Sequence, residues 1–139
     1  MGLERFYEAQ KYSYEDALKE IKNGRKCSHW MWYIFPQITG LGMSGMSRYY
    51  SIGSLQEAKE YMEDKVLGSR LLEISGALLE LETDDAYEVF GYPDNLKHKS
   101  SMTLFAAAAQ EQEVFRKVLD KYFGGEQDTR TLQKLEQLS

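Results

Sequence analysis

The stretch Ser28-His29-Trp30-Met31-Trp32-Tyr33-Ile34-Phe35 decides how this chain folds. Its aromatic and β-branched content suits a buried strand or a buried helix, and periodicity does not separate the two. Length favours a strand, yet no second run alternating with period two exists to pair with it. The segment is therefore predicted to be a short, almost wholly buried helix. It ends before Pro36, because proline disfavours helical geometry in the residue ahead of it.

The flanking sequence speaks the same language. Ser13 with Asp16 three residues on resembles a capping box ahead of the stripe Tyr14, Ala17, Leu18 and Ile21, and Gly24 supplies the stop. Ser54 with Glu57 repeats this grammar before Leu55, Ala58, Tyr61 and Met62. From Val66, the residues Leu67, Leu71, Ile74, Leu78 and Leu81 recur at intervals of four and three, marking the expected central core helix. Thr83, Asp84 and Asp85 start a short helix closed by Gly91 and Pro93. A further helix runs from Asp94 or Asn95 through Ala109, with Met102, Phe105, Ala106 and Ala109 on one face. Val114 to Phe123 makes another amphipathic helix, ended by Gly124-Gly125, and a last one spans about Thr129 to Leu138. The expectation is a single all-α domain over residues 1–139, with seven or eight short helices arranged as an α-horseshoe or an orthogonal bundle.

Composition narrows the function classes. With 42% hydrophobic and 13% aromatic residues, ten of them tyrosines, the chain has the apolar material for one packed core. A net charge of −5, from 22 acidic and 17 basic residues spread along the chain, disfavours a broad nucleic-acid footprint. Cys27 is the only cysteine, so neither an internal disulfide nor a thiolate metal cluster can form within one chain. A reducing, cytoplasmic setting fits, with no secretion signal, membrane span or myristoylation pattern. Cys27 is expected to be a small buried residue rather than a nucleophile. Two histidines without a metal-binding spacing point away from a metal site, and no cofactor is implied.

Gly40-Leu41-Gly42-Met43-Ser44-Gly45 matches G-x-G-x-x-G, but the β-α-β setting of a dinucleotide site is missing. A tight loop is the plainer reading. A helix starting near Ser44 would nevertheless offer free N–H groups to an anion, with Arg48 one turn in. Lys26 to Gln37 sets Ser28, His29 and Gln37 beside Trp30, Trp32 and Tyr33, a mixture suited to a pocket lining. His29 is a candidate acid or base, although no carboxylate is evident to orient it, and a structural histidine is the commoner case. Lys97, Lys99, Ser100, Ser101 and Thr103 form a polar run in which Lys97 shares a side with Ser100 and Ser101. This run could grip an oxyanion; the alternative is hydroxyls bonded back to the preceding turn. His98, between two lysines, is expected at the surface.

The strings Arg5-Phe6-Tyr7-Glu8-Ala9-Gln10, His29-Trp30-Met31-Trp32 joined to Phe35-Pro36-Gln37, Gly40-Leu41-Gly42, Leu67-Gly68-Ser69-Arg70-Leu71 and Ser100-Ser101-Met102-Thr103-Leu104-Phe105 resemble those of a bacterial domain-of-unknown-function family, sometimes labelled calpastatin. The resemblance spans nearly the whole chain and implies an all-helical fold of α-horseshoe or related type, without supplying an activity. The calpastatin label implies a chain disordered when free, whereas this composition asks for a packed core.

Three readings follow. The first is a domain for an anionic or nucleotide-like small molecule, with Trp30 or Trp32 stacking and Arg48, Lys97 and the hydroxyls contacting charge. The second is a small hydrolase or transferase using His29 as acid or base, with Ser100, Ser101 or Thr103 orienting substrate. The third is a helical protein-interaction module.

Overall fold

A computed structural model describes residues 2–138, and these form ten helices with no strand among them. In order they are α1 (Glu4–Gln10), α2 (Tyr14–Lys22), α3 (Met31–Ile34), α4 (Gly45–Tyr49), α5 (Leu55–Glu63), α6 (Leu67–Leu79), α7 (Ala86–Phe90), α8 (Asp94–Ala108), α9 (Val114–Phe123) and α10 (Thr129–Leu138). The all-α expectation holds, with ten helices in place of seven or eight. Helix α1 is the unforeseen one, because its inward face carries Arg5 and Gln10 beside Phe6 instead of an apolar stripe. Both side chains bond internally, Arg5 donating to the Ser51 carbonyl at 2.8 Å and Gln10 to the Tyr33 carbonyl at 2.8 Å, although the Arg5 Nε has no partner among the described residues.

Local sequence signals set most helix ends. Ser54 accepts from the Glu57 amide at 3.1 Å, while the Glu57 carboxylate reaches back to the Gly53 amide at 2.7 Å. Asp85 caps α7 through the Tyr87 amide at 2.9 Å. Ser13 departs from expectation, since its hydroxyl accepts from Tyr33 at 3.1 Å and caps nothing. Gly68 is required by a close approach: a Cβ there would lie 2.2 Å from the Met62 carbonyl oxygen.

The aromatic stretch is helical only over Met31–Ile34. Trp30, Met31, Ile34 and Phe35 are buried, whereas Ser28 and His29 are exposed. One carboxylate explains the extended entry. Glu20 accepts from the Cys27 amide (2.7 Å), the Ser28 amide (2.9 Å) and hydroxyl (2.7 Å), and the Trp30 indole (2.9 Å). Burial raises the Glu20 carboxyl, but these donors outweigh it and hold the group below the usual carboxylate range. Held on the surface by this clamp, Cys27 is exposed, which corrects the expectation that it is buried.

The sequence marks α6 as central, and its Leu67, Leu71, Ile74 and Leu78 are indeed buried. The structure gives the central place to α8, which packs against α3, α5, α7, α9 and α10. Every residue from Ser100 to Ala106 is buried. The face of Met102, Phe105, Ala106 and Ala109 that spacing marks is buried, but cover on the other sides as well leaves no single stripe to show that the helix is central.

His98 on this helix is also fully buried, correcting its surface assignment. Its ring stacks on Phe90 at 4.3 Å and meets Phe35 edge-on at 5.0 Å, and neither nitrogen has a hydrogen-bond partner among the described residues. Burial lowers its pKa from 6.5 to about 3. The unfolded ring therefore takes up a proton near pH 6.5 and the folded ring does not. Stability is complete above that pH and falls as the pH drops toward 3. Urea titrations should show a loss of about 2 kcal/mol between pH 8 and pH 5. In His98→Phe the loss over this range should largely vanish, whatever the variant's absolute stability.

Candidate functional site

Pro36 ends the aromatic segment, and the chain then makes a closed loop. The Ile52 amide donates to the Gln37 carbonyl and the Thr39 amide to the Ile52 carbonyl, both at 2.8 Å, pinching residues 40–51 into an Ω-like excursion. Its outer side exposes Met43, Met46 and Tyr49. Its inner side, with Gly40, Leu41, Gly42, Ser47 and Tyr50, forms one wall of a cleft of about 360 Å³. Trp32 of α3 and Gln37 form a second wall, Leu96, Lys97, Lys99 and Ser100 of α8 a third, and Asp128 and Arg130 close the α10 end.

Cations dominate this lining. Lys97 stands 3.5 Å from Asp94 and lies over the Trp32 ring at 5.3 Å. Asp94 also binds Lys26 at 2.9 Å, and Lys26 in turn lies over Trp30 at 5.2 Å. One carboxylate thus bridges two lysines, each seated on a tryptophan, and brings together the two clusters prominent in the sequence. Lys99 pairs with Glu126. Arg130 donates to the Leu41 carbonyl at 3.3 Å, tying α10 to the loop. Burial, with Tyr49 and Tyr33 alongside, pushes the Tyr50 hydroxyl above its ordinary pKa, so it is a neutral hydrogen-bonding group.

Asp128 is structural in large part. Its carboxylate accepts from Ser100 (3.0 Å), the Thr131 amide (3.0 Å) and the Thr131 hydroxyl (2.6 Å), while its own amide donates to Thr103 at 2.8 Å. Ser100 and Thr103 also bond back to the carbonyls of Leu96 and Lys99. These hydroxyls therefore serve chiefly to dock the start of α10 on α8.

Of the residues singled out in the sequence, Trp32, Gln37, Lys97 and Ser100 line the cleft, and Lys26 supports it through Asp94. Ser28 and Trp30 belong to the Glu20 clamp. Arg48 is exposed outside the lining, while Ser101 and Thr103 are enclosed in the core. His29 is exposed, and no histidine is among the described residues that line the cleft. Sequence reasoning missed Arg130, Asp128 and Tyr50 as site residues and left Lys99 undistinguished within its polar run. Asp128 carried a signal, an acidic residue just ahead of a helix start. A second depression lies between α2 and α6, but its Arg70 is engaged by Gln10 at 3.3 Å and lies over Tyr14 at 5.1 Å.

A family model described as "Protein of unknown function (DUF1810)" matches residues 1–135. The chain belongs to the DUF1810 family. The crystal structure of the conserved hypothetical protein Rv1873 from Mycobacterium tuberculosis is similar to this DUF1810 chain at 44% identity and a TM-score of 0.94, covering 96% of each chain. No curated protein matches it. Within this DUF1810 chain, no described helix is long and apolar enough to cross a membrane. No group of three or more histidine, cysteine or acidic side chains among the described residues could hold a metal ion.

The Asp94 bridge can be tested directly. Asp94→Asn leaves Lys26 and Lys97 without their shared counter-charge, and Lys26 is only 9% exposed. Urea denaturation should show a loss of about 1–3 kcal/mol, the range for removing a charged hydrogen-bond partner. Lys26→Met in the same background should recover part of it.

Proposed function

We propose that the cleft binds an anionic small molecule carrying a flat ring, nucleotide-like in shape. The observation that carries this reading is local charge. In a chain of net charge −5, the described cleft lining holds Lys97, Lys99 and Arg130 against Asp128; Asp94 and Glu126 pair with the two lysines from outside it, and Arg130 makes no ion pair among the described residues. A lining positive against the sign of the whole molecule, with one guanidinium left unpaired, favours an anion.

Shape supports the ring. Trp32 and Tyr50 offer aromatic surfaces, and Ile38, Leu41 and Leu96 add apolar ones. The volume of about 360 Å³ lies near the lower end for small-molecule sites. Gln37 provides an amide able to donate and accept toward a ring edge. An acid–base role for His29 forms no part of this reading, since that residue is not among those that line the cleft.

Isothermal titration with adenosine 5′-monophosphate should detect binding. Trp32→Ala and Arg130→Gln should each weaken it about tenfold, through lost stacking and a lost charge-assisted contact respectively. Absence of binding by any ring-bearing anion, or affinity indifferent to both substitutions, would overturn the proposal.

A further inference from the structure

Both lysines of the cleft already hold a carboxylate that lies outside its lining: Asp94 for Lys97 and Glu126 for Lys99. The two pairs differ in character. Asp94 is shared with Lys26 and its side chain is 19% exposed, so it is a fixed support behind the wall. Glu126 is 73% exposed and follows Gly124 and Gly125, both at positive φ, whereas the Lys99 side chain it covers is only 17% exposed. Glu126 is thus the solvent-facing partner of a largely covered cation that belongs to the cleft, and its exposure makes it an exchangeable counter-ion.

An anion entering the cleft meets Lys99 already paired with Glu126 and competes with that carboxylate for the ammonium. A ligand carboxylate replaces one carboxylate by another and gains almost nothing in charge at that lysine. A phosphate monoester brings about −1.5 to −2 charges at pH 7 and three acceptor oxygens. It can take Lys99 and engage the Arg130 guanidinium in the same act. Among the described residues that guanidinium makes a single hydrogen bond, to the Leu41 carbonyl, and its remaining donors are open to a bidentate partner.

Resting on the reading of the cleft as an anion site, we propose that its ligand is a phosphate monoester and not a carboxylate. Glu126 raises that threshold by competing with the ligand for Lys99.

The test compares adenosine 5′-monophosphate with adenosine 5′-carboxylic acid, the same nucleoside ending in a carboxylate, by isothermal titration against the full chain and its Glu126→Gln variant. The wild-type chain should prefer the monophosphate by about tenfold or more. That affinity should fall as the pH drops from 7.5 to 5, because the second phosphate proton binds near pH ~6. Glu126→Gln should tighten both ligands about two- to fivefold at low salt, the range an exposed ion pair supports, and the gain should shrink in high salt. Equal affinity of the wild-type chain for the two nucleosides, or an affinity unchanged or weakened by Glu126→Gln, would overturn this inference while leaving an anion site in place. Failure of both chains to bind either compound would remove the anion-site reading together with it.

Discussion

The enclosure of α8 is the constraint on which the rest depends. From Ser100 to Ala106 every residue of this helix is buried, and of its hydroxyls Ser100 and Thr103 find partners within the protein while Ser101 has none among the described residues. Thr103 both donates to the Lys99 carbonyl and accepts the Asp128 amide, and Ser100 reaches the Asp128 carboxylate. These bonds seat the first turn of α10 against α8 and thereby place Arg130. The N-terminal half of the same helix emerges from the core, where Lys97 and Lys99 meet the loop of residues 40–51. The cleft is the place where the central helix leaves the interior, and its two lysines stand there for that reason.

Much of this arrangement was legible in the sequence because it rests on local rules. The caps at Ser54 and Asp85 and the face formed by Leu67, Leu71, Ile74 and Leu78 depend only on spacing, and the structure reproduces them. The same rules fail where tertiary contacts decide. His98 stands between two lysines and reads as exposed, yet the cover of Phe35, Phe90, Tyr122 and Phe123 holds it inside. Helix α1 has no apolar stripe because Arg5 and Gln10 find partners 46 and 51 residues away, at Ser51 and Tyr61.

The site divides along the same line. Trp32, Gln37, Lys97 and Ser100 stood out as members of compact clusters mixing rings, amides and cations. What the sequence did not disclose was that Asp94 joins those clusters through two lysines, or that Arg130 arrives from the last helix to face Leu41. His29 looked chemical by residue type alone. The Glu20 clamp on Cys27, Ser28 and Trp30 orders the backbone beside it and leaves it at the surface.

The central claim is that residues from α3, α8, α10 and the 40–51 loop form one anion-binding cleft. Nitrogen-edited NMR spectra of the labelled chain, recorded while adenosine 5′-monophosphate is added, test it most directly. The account predicts progressive, saturable shifts at the amides of Trp32, Gly40 to Gly42, Lys97 to Ser100 and Arg130, with the signals near Tyr14 and Arg70 unmoved. Shifts confined to the neighbourhood of His29 or of the α2–α6 depression, or no saturable shift anywhere, would contradict it.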